Sequence, residues 1–302
     1  MFFVVILFVS YCNGEGVAKD DKKTVEWYTK SAEQGNAQAQ CKLGSMYLQG
    51  EGVEQDSKKA VEWYTKSAEQ GNAEAQYILS WLYHAGKGVE QDYKKAVEWL
   101  EKSAEQGYTE AQNHLGLLYC AGFGGVVKDY KKAVEWYTKS AEQGNAEGQC
   151  RLGSMYYYEG VEQDSKKAVE WFTKSAEQGN ADAQHYLGSM YLQGEGVAKD
   201  HSKAYRLFKL SAEQGNASAQ NYLGSMYLQG EGVAKDSKKA FELWTKSAEQ
   251  GNAQAQYNLG LMYFKGEGVE QDDKKAVEWF TKSAEQGNSY AEKILRDYFN
   301  NN

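Results

Sequence analysis

AQAQCKLGSMYLQGEGVEQDSKKAVEWYTKSAEQG, residues 37–71, decides how the rest of the chain is read. It holds two apolar stripes separated by a glycine-rich joint. In the first half Ala39, Leu43, Met46 and Tyr47 stand at i, i+4, i+7 and i+8, one face of a helix running from about Ala37 to Tyr47. In the second half Ala60, Val61, Tyr64 and Ala68 form the stripe of a helix from about Ser57 to Gln70, with Trp63 at its edge. Asp56 is placed to cap the second helix by accepting an orphan backbone N–H. Gly71 suits a left-handed helix end, and Asn72 caps the next helix. Gly50-Glu51-Gly52-Val53 joins the two helices, with Val53 tucked beneath the loop. Glu62 and Lys66, at i and i+4, are spaced for a surface ion pair.

The stretch recurs. Ser-Ala-Glu-Gln-Gly begins at Ser31, Ser67, Ser103, Ser140, Ser175, Ser211, Ser247 and Ser283, with five steps of 36, one of 37 and one of 35. A fixed period of this length marks an array in which each unit buries its apolar face only against its neighbours. The capping aspartate returns at Asp20, Asp92, Asp129, Asp164, Asp200, Asp236 and Asp272, so its role is structural rather than catalytic. Gly44 lies on the first apolar stripe and returns as Gly116, Gly153, Gly188, Gly224 and Gly260, with Ser80 as a small substitute. Glycine costs about 1 kcal/mol inside a helix. Its recurrence predicts close approach of a neighbouring helix. The pattern predicts an all-α fold, an α/α solenoid of roughly 36-residue helix-turn-helix repeats.

Composition narrows the function. The net charge is −8 over 302 residues, and lysine pairs such as Lys58-Lys59 are flanked by acids. No basic stripe is available for nucleic acid. Proline is absent, which removes a Pro-rich tail. Four cysteines without a CxxC pair provide neither a disulfide scaffold nor a zinc ribbon. His84, His114, His185 and His201 are scattered, with no HExxH spacing. The Gly-Glu-Gly loops lack the GxxxxGK[ST] pattern of a phosphate loop. No catalytic residue, metal site or cofactor is predicted.

The ends differ from the array. Met1 to Val9 are all apolar, too few for a membrane span of about 20 residues, so no stable membrane insertion is expected. They suit the apolar core of a signal peptide, with Ser10 and Cys12 small enough for cleavage, although no basic residues precede them. Leu7, Tyr11, Gly14 and Gly16 also stand 36 residues before Leu43, Tyr47, Gly50 and Gly52, as a truncated first helix would place them. Export and a cytoplasmic location both stay open. At the other end Ala291, Leu295 and Phe299 continue the stripe, while Arg296 replaces the recurrent glycine and would block a further stacked repeat. The expected division is an apolar segment 1–13, an array 14–288 and a capping helix 289–302.

Ala253-Gln254-Ala255-Gln256, Leu259-Gly260-Leu261-Met262-Tyr263, Gly266-Glu267-Gly268-Val269 and Lys275-Ala276 together resemble the Sel-one-like repeat, a relative of the tetratricopeptide repeat. The resemblance implies a right-handed superhelix serving as a non-catalytic adaptor for protein complexes. Cysteine-rich bacterial members have been described as β-lactam-binding or β-lactamase-like, which supplies an alternative function. This sequence departs from them: most units lack cysteine, and SxxK, KTG and SDN motifs are missing. Offsets carried over from tetratricopeptide helices put Gln38, Cys41, Ser45 and Leu48 on a concave groove. Cys150 then matches Cys41, while Cys12 and Cys120 match Leu48. Cys120 and Cys150 differ by seven helical positions, about 10 Å of rise, beyond disulfide reach, so free thiols are expected.

Core and capping positions barely change between repeats, whereas the inferred groove positions change freely. The second repeat offers Tyr77, Trp81 and His84 where others carry asparagine, serine or leucine. Trp81 lies on a first helix; the register puts the other seven tryptophans at the position of Trp63. The following repeats add Leu117, Cys120, Cys150 and Tyr157, beside loops with one residue added at Phe123-Gly124-Gly125 and one removed at Tyr158-Glu159-Gly160. Aromatic residues anchor interfaces because they bury area with few rotatable bonds. The expectation is a monomeric scaffold that binds a protein or peptide through these seven residues.

Overall fold

The computed structural model describes residues 21–158 and 161–301; the segment 1–13, Cys12, Asp20, Glu159, Gly160 and the side chain of Phe299 lie outside that set. The described residues form sixteen α-helices and no strand. Two compact units divide the chain, Met1–Ala111 and Gln112–Asn302. The first holds α1 (Asp21–Glu33), α2 (Ala37–Gln49), α3 (Ser57–Glu69), α4 (Ala73–Ala85) and α5 (Tyr93–Glu105). The division falls within α6 (Thr109–Ala121). The second continues with α7 (Tyr130–Glu142), α8 (Ala146–Tyr157), α9 (Ser165–Glu177), α10 (Ala181–Gln193) and α11 (His201–Glu213). It ends with α12 (Ala217–Gln229), α13 (Ser237–Glu249), α14 (Ala253–Lys265), α15 (Asp273–Glu285) and α16 (Ser289–Asn301). Within each unit successive helices pack in sequence, so every interior helix touches the one before it and the one after it.

The helix ends follow the expected chemistry. Asp56 Oδ1 accepts from the backbone N–H groups of Lys58 and Lys59 at 3.0 and 3.1 Å. Asn72 Oδ1 accepts from Ala75 N at 2.8 Å. Such caps stabilise a helix by about 1 kcal/mol. The one-residue deletion shortens α8 to 12 residues, yet Asp164 N still donates to Tyr156 O at 2.9 Å, as Asp200 N does to Tyr191 O. The loop absorbs the change and the next helix starts in register.

The helical glycine makes room for an aromatic ring of its own repeat. A Cβ on Gly153 would lie 2.8 Å from Cδ1 of Phe172, and one on Gly260 would lie 2.7 Å from Cδ1 of Phe280. Ser80 is the exception to glycine, and its repeat carries the smaller Leu100 in place of the ring. The second glycine of the loop meets a different neighbour. Gly196 has φ +67°, and its Cβ would stand 2.4 Å from the carbonyl oxygen of Ser165, at the start of the previous repeat's second helix.

Buried serine and glutamine tie helices together within a repeat and, through the second glutamine, to the repeat before it. Ser67 Oγ donates to Ala37 O at 2.7 Å. Gln70 Nε2 donates to Gln40 Oε1 at 2.6 Å, and Gln40 Nε2 donates to Ala32 O at 3.0 Å. The same relay runs from Gln250 through Gln220 to Ala212 at 2.8 and 3.2 Å. It gives a second donor to carbonyls at the helix C-terminus that already accept from a backbone N–H three residues on, as Ala32 O does from Gly35 N and Ala212 O from Gly215 N, both at 3.0 Å.

Two sequence expectations are corrected. Trp244 occupies the position of Tyr64, not Trp63: it lies in the core beneath Gly224 and donates from Nε1 to Asn221 O at 3.0 Å, while Leu243 stands in the tryptophan position. Lys66 does not pair with Glu62. Its Nζ sits 4.2 Å from the centre of the Trp63 ring, a contact repeated by Lys102 on Trp99 and Lys139 on Trp136. The half-buried ring at i−3 offers a more fixed partner than an exposed carboxylate, whose ion pair is worth little.

Candidate partner-binding face

In the first unit, α4 carries Tyr77, Trp81 and His84. Tyr77 and Trp81 are half-buried and pack on the cluster that contains Tyr64 and Leu79. The Tyr77 ring lies 5.4 Å from that of Tyr108, and burial, aided by Glu110, pushes its phenol up to about 12. Lys87 Nζ lies 5.7 Å from the Trp81 ring centre. His84 meets the edge of the exposed Tyr93 ring at 5.3 Å. The structure thus brings these three residues onto one helix, with Tyr93 and Tyr108 at its borders.

In the second unit, Leu117 is exposed (42%) and Cys120 is half-buried on the same helix. Cys150 is only 5% exposed and sits in the core with Phe172 and Leu187. Burial and Glu147 push its thiol up to about 12, so it is an inert core thiol rather than an exposed contact. Cys41 is buried in the same way. Cys41, Cys120 and Cys150 are all free thiols. Tyr157 packs on the cluster that holds Cys150 and donates from its hydroxyl to Glu195 Oε2 at 2.5 Å. Burial and that carboxylate raise its pKa.

Residues outside the seven expected contacts surround Tyr157. Tyr158 is half exposed (50%), its ring 4.6 Å from Tyr157 and 5.8 Å from Tyr186. Tyr186 stacks on the buried Phe172 at 5.1 Å, and Tyr222 stacks on the buried Phe208 at 5.0 Å. His185 lies between Tyr186 and Tyr222, with ring centres 5.1 and 5.6 Å away. Its Nε2 is buried without a hydrogen-bond partner, and desolvation holds its pKa down at about 4. The signal for these residues was one helical position along from Cys41, where Arg151, Tyr186 and Tyr222 stand at the position of Lys42.

Among the described residues no group of three or more His, Cys, Asp or Glu is placed to hold a metal ion. No described helix is long and apolar enough to cross a membrane. Nothing in the arrangement supports the β-lactam-directed alternative.

Serial helix pairs, glycine-for-ring packing and a serine–glutamine relay define an α/α repeat protein. The Sel1 repeat profile matches residues 6–36, 37–72, 73–108, 109–145, 146–180, 181–216, 217–252 and 253–288. The chain belongs to the Sel1 repeat family, whose members are generally protein-interaction scaffolds. It is similar to the crystal structure of a protective antigen present in uropathogenic Escherichia coli strains and displaying an SLR fold. The two share 43% identity with a TM-score of 0.84, over 95% of this chain and 62% of that one. The chain therefore spans less than two thirds of that antigen. A Sel1 repeat protein from Oxalobacter formigenes is similar at 29% identity and TM-score 0.60, over 98% of this chain and 99% of that one. No match was found among curated proteins.

Proposed function

We propose that the chain is a non-catalytic, monomeric scaffold that binds a protein or peptide through the variable faces of its first helices. The observation that carries this is the contrast within the repeat. Positions that cap helices, and core positions such as those of Leu43, Ala60 and Ala68, are held nearly constant, while the buried ring beside the helical glycine varies among Tyr64, Leu100, Phe172 and Trp244. The positions of Trp81 and His84, accessible in every repeat but that of the buried Ser189, change from repeat to repeat, reading Ser45, Trp81, Leu117, Ser154, Ser189, Ser225, Leu261 and Leu48, His84, Cys120, Tyr157, Leu192, Leu228, Phe264. A scaffold needs its frame fixed and its contact surface free to diverge. Tyr77, Trp81 and His84 form the contact face of the first unit, and Leu117, Cys120 and Tyr157 that of the second, with Cys150 supporting Tyr157 from beneath.

Affinity capture with the full chain, compared with its Trp81→Ala variant, tests the reading. A buried aromatic anchor is worth about 2 kcal/mol or more, so retention of a captured partner should fall at least tenfold, roughly. Circular dichroism at the assay temperature must show that the variant is still folded. Equal capture by both proteins would refute the role of this face.

A further inference from the structure

We infer that the tyrosine-lined face of the second unit, formed by Tyr157, Tyr158, Tyr186 and Tyr222 with Glu195 and Asp182, docks a basic extended peptide whose arginine or lysine side chains lie over the rings. This deepens the scaffold reading and rests on it. The first support comes from how the chain treats its other aromatic rings. Lys59, Lys95, Lys132, Lys203, Lys239 and Lys275 each sit 4.9–5.4 Å over the tyrosine that closes a first helix. Lys66, Lys102 and Lys139 sit 3.8–4.2 Å over tryptophans. Among the described residues no cation lies over Tyr157, Tyr158, Tyr186 or Tyr222. Tyr186 and Tyr222 each stack on a buried phenylalanine and flank His185, so the rings are held in place while staying partly exposed.

Charge gives the second support. Glu147 is balanced by Arg151 Nε at 2.8 Å. Glu195 has only the Tyr157 hydroxyl, and Asp182 has only the Asn216 amide at 2.8 Å; neither has an ion-pair partner among the described residues. Two unbalanced carboxylates beside four electron-rich rings favour a cation and disfavour an apolar or phosphorylated segment. The chain's net charge of −8 acts in the same direction.

The test is fluorescence anisotropy with the full chain and a labelled glycine–serine nonapeptide carrying alternating arginines, in about 0.15 M salt. Saturable binding is expected. Tyr158→Ala should weaken it about fivefold, and Tyr158→Arg, which places the chain's own cation on the face, should abolish it. The Glu195→Gln, Asp182→Asn double variant should weaken it about tenfold, while Glu249→Gln on α13 should leave it unchanged. Absence of saturable binding, equal affinity for the peptide with leucine in place of arginine, or equal loss with Glu249→Gln would each overturn the inference. If Trp81-dependent capture persists while the arginine peptide fails to bind, this inference falls alone and the scaffold reading stands.

Discussion

Replacing Gly153 by alanine sets two effects against each other. Alanine is about 1 kcal/mol better than glycine in a helix interior. Here the new methyl would lie 2.8 and 2.9 Å from Cδ1 and Cε1 of Phe172, a ring that is fully buried and stacked on Tyr186. The ring has nowhere to retreat, and overpacking of this kind costs about 1–3 kcal/mol. The variant should lose about 1–2 kcal/mol net. Phe172→Leu alone leaves a void and should cost about 1–2 kcal/mol. Combined, the methyl enters the space the ring vacated, as in the natural Ser80–Leu100 pair, and the double variant should be about 1–2 kcal/mol more stable than the two losses predict. Repeat arrays depart from two-state unfolding, so urea melts should be paired with hydrogen exchange of α8 and α9. A Gly153→Ala protein more stable than the parent, or losses that add to within about 0.5 kcal/mol, would refute the packing argument.

Two further outcomes follow from the buried polar groups. Desolvation holds His185 at about 4 in the fold, below the ordinary 6.5. The unfolded chain therefore takes up the proton first as pH falls, and stability present above pH 6.5 is lost progressively toward pH 4. The full difference is about 3 kcal/mol, and His185→Phe should flatten this part of the profile in urea midpoints measured at pH 7 and pH 5. Parallel losses in both proteins would assign the acid sensitivity elsewhere. Gln220→Leu removes the acceptor of Gln250 and the donor to Ala212 together. It should cost about 1–3 kcal/mol and speed amide exchange in α12 and α13 first, whereas unchanged exchange there would mean the relay adds nothing.

The helices and their caps were legible because period, glycine and aspartate carry local information. Gly44 announced a close approach, but not that the partner was the Tyr64 ring of its own repeat; that depends on helix crossing, which no window of sequence contains. Cys150 read as a groove residue by offset and proved to be core because Phe172 and Leu187 close over it. Tyr186 and Tyr222 were missed because one residue along a helix turns the side chain by about 100°. Lys66 was assigned to Glu62 because i,i+4 spacing allows an ion pair, while the position of the Trp63 ring beneath it is a packing fact.

The glutamine relay bears on how such a chain changes length over generations. Donor and acceptor both belong to the recurring motif, so duplicating or losing a whole period puts the same amide opposite the same carbonyl wherever the crossover falls. The two irregular steps show the tolerance of the scheme. Within the repeats Gln143 finds Gln112 across 31 residues and Gln178 finds Gln149 across 29, both at 2.7 Å, and across the seams Gln149 Nε2 still donates to Ala141 O at 3.1 Å and Gln184 Nε2 to Ala176 O at 3.2 Å. An insertion or deletion confined to a loop leaves the junction intact, and recombination can lengthen or shorten the protein without stranding a buried polar group at the seam.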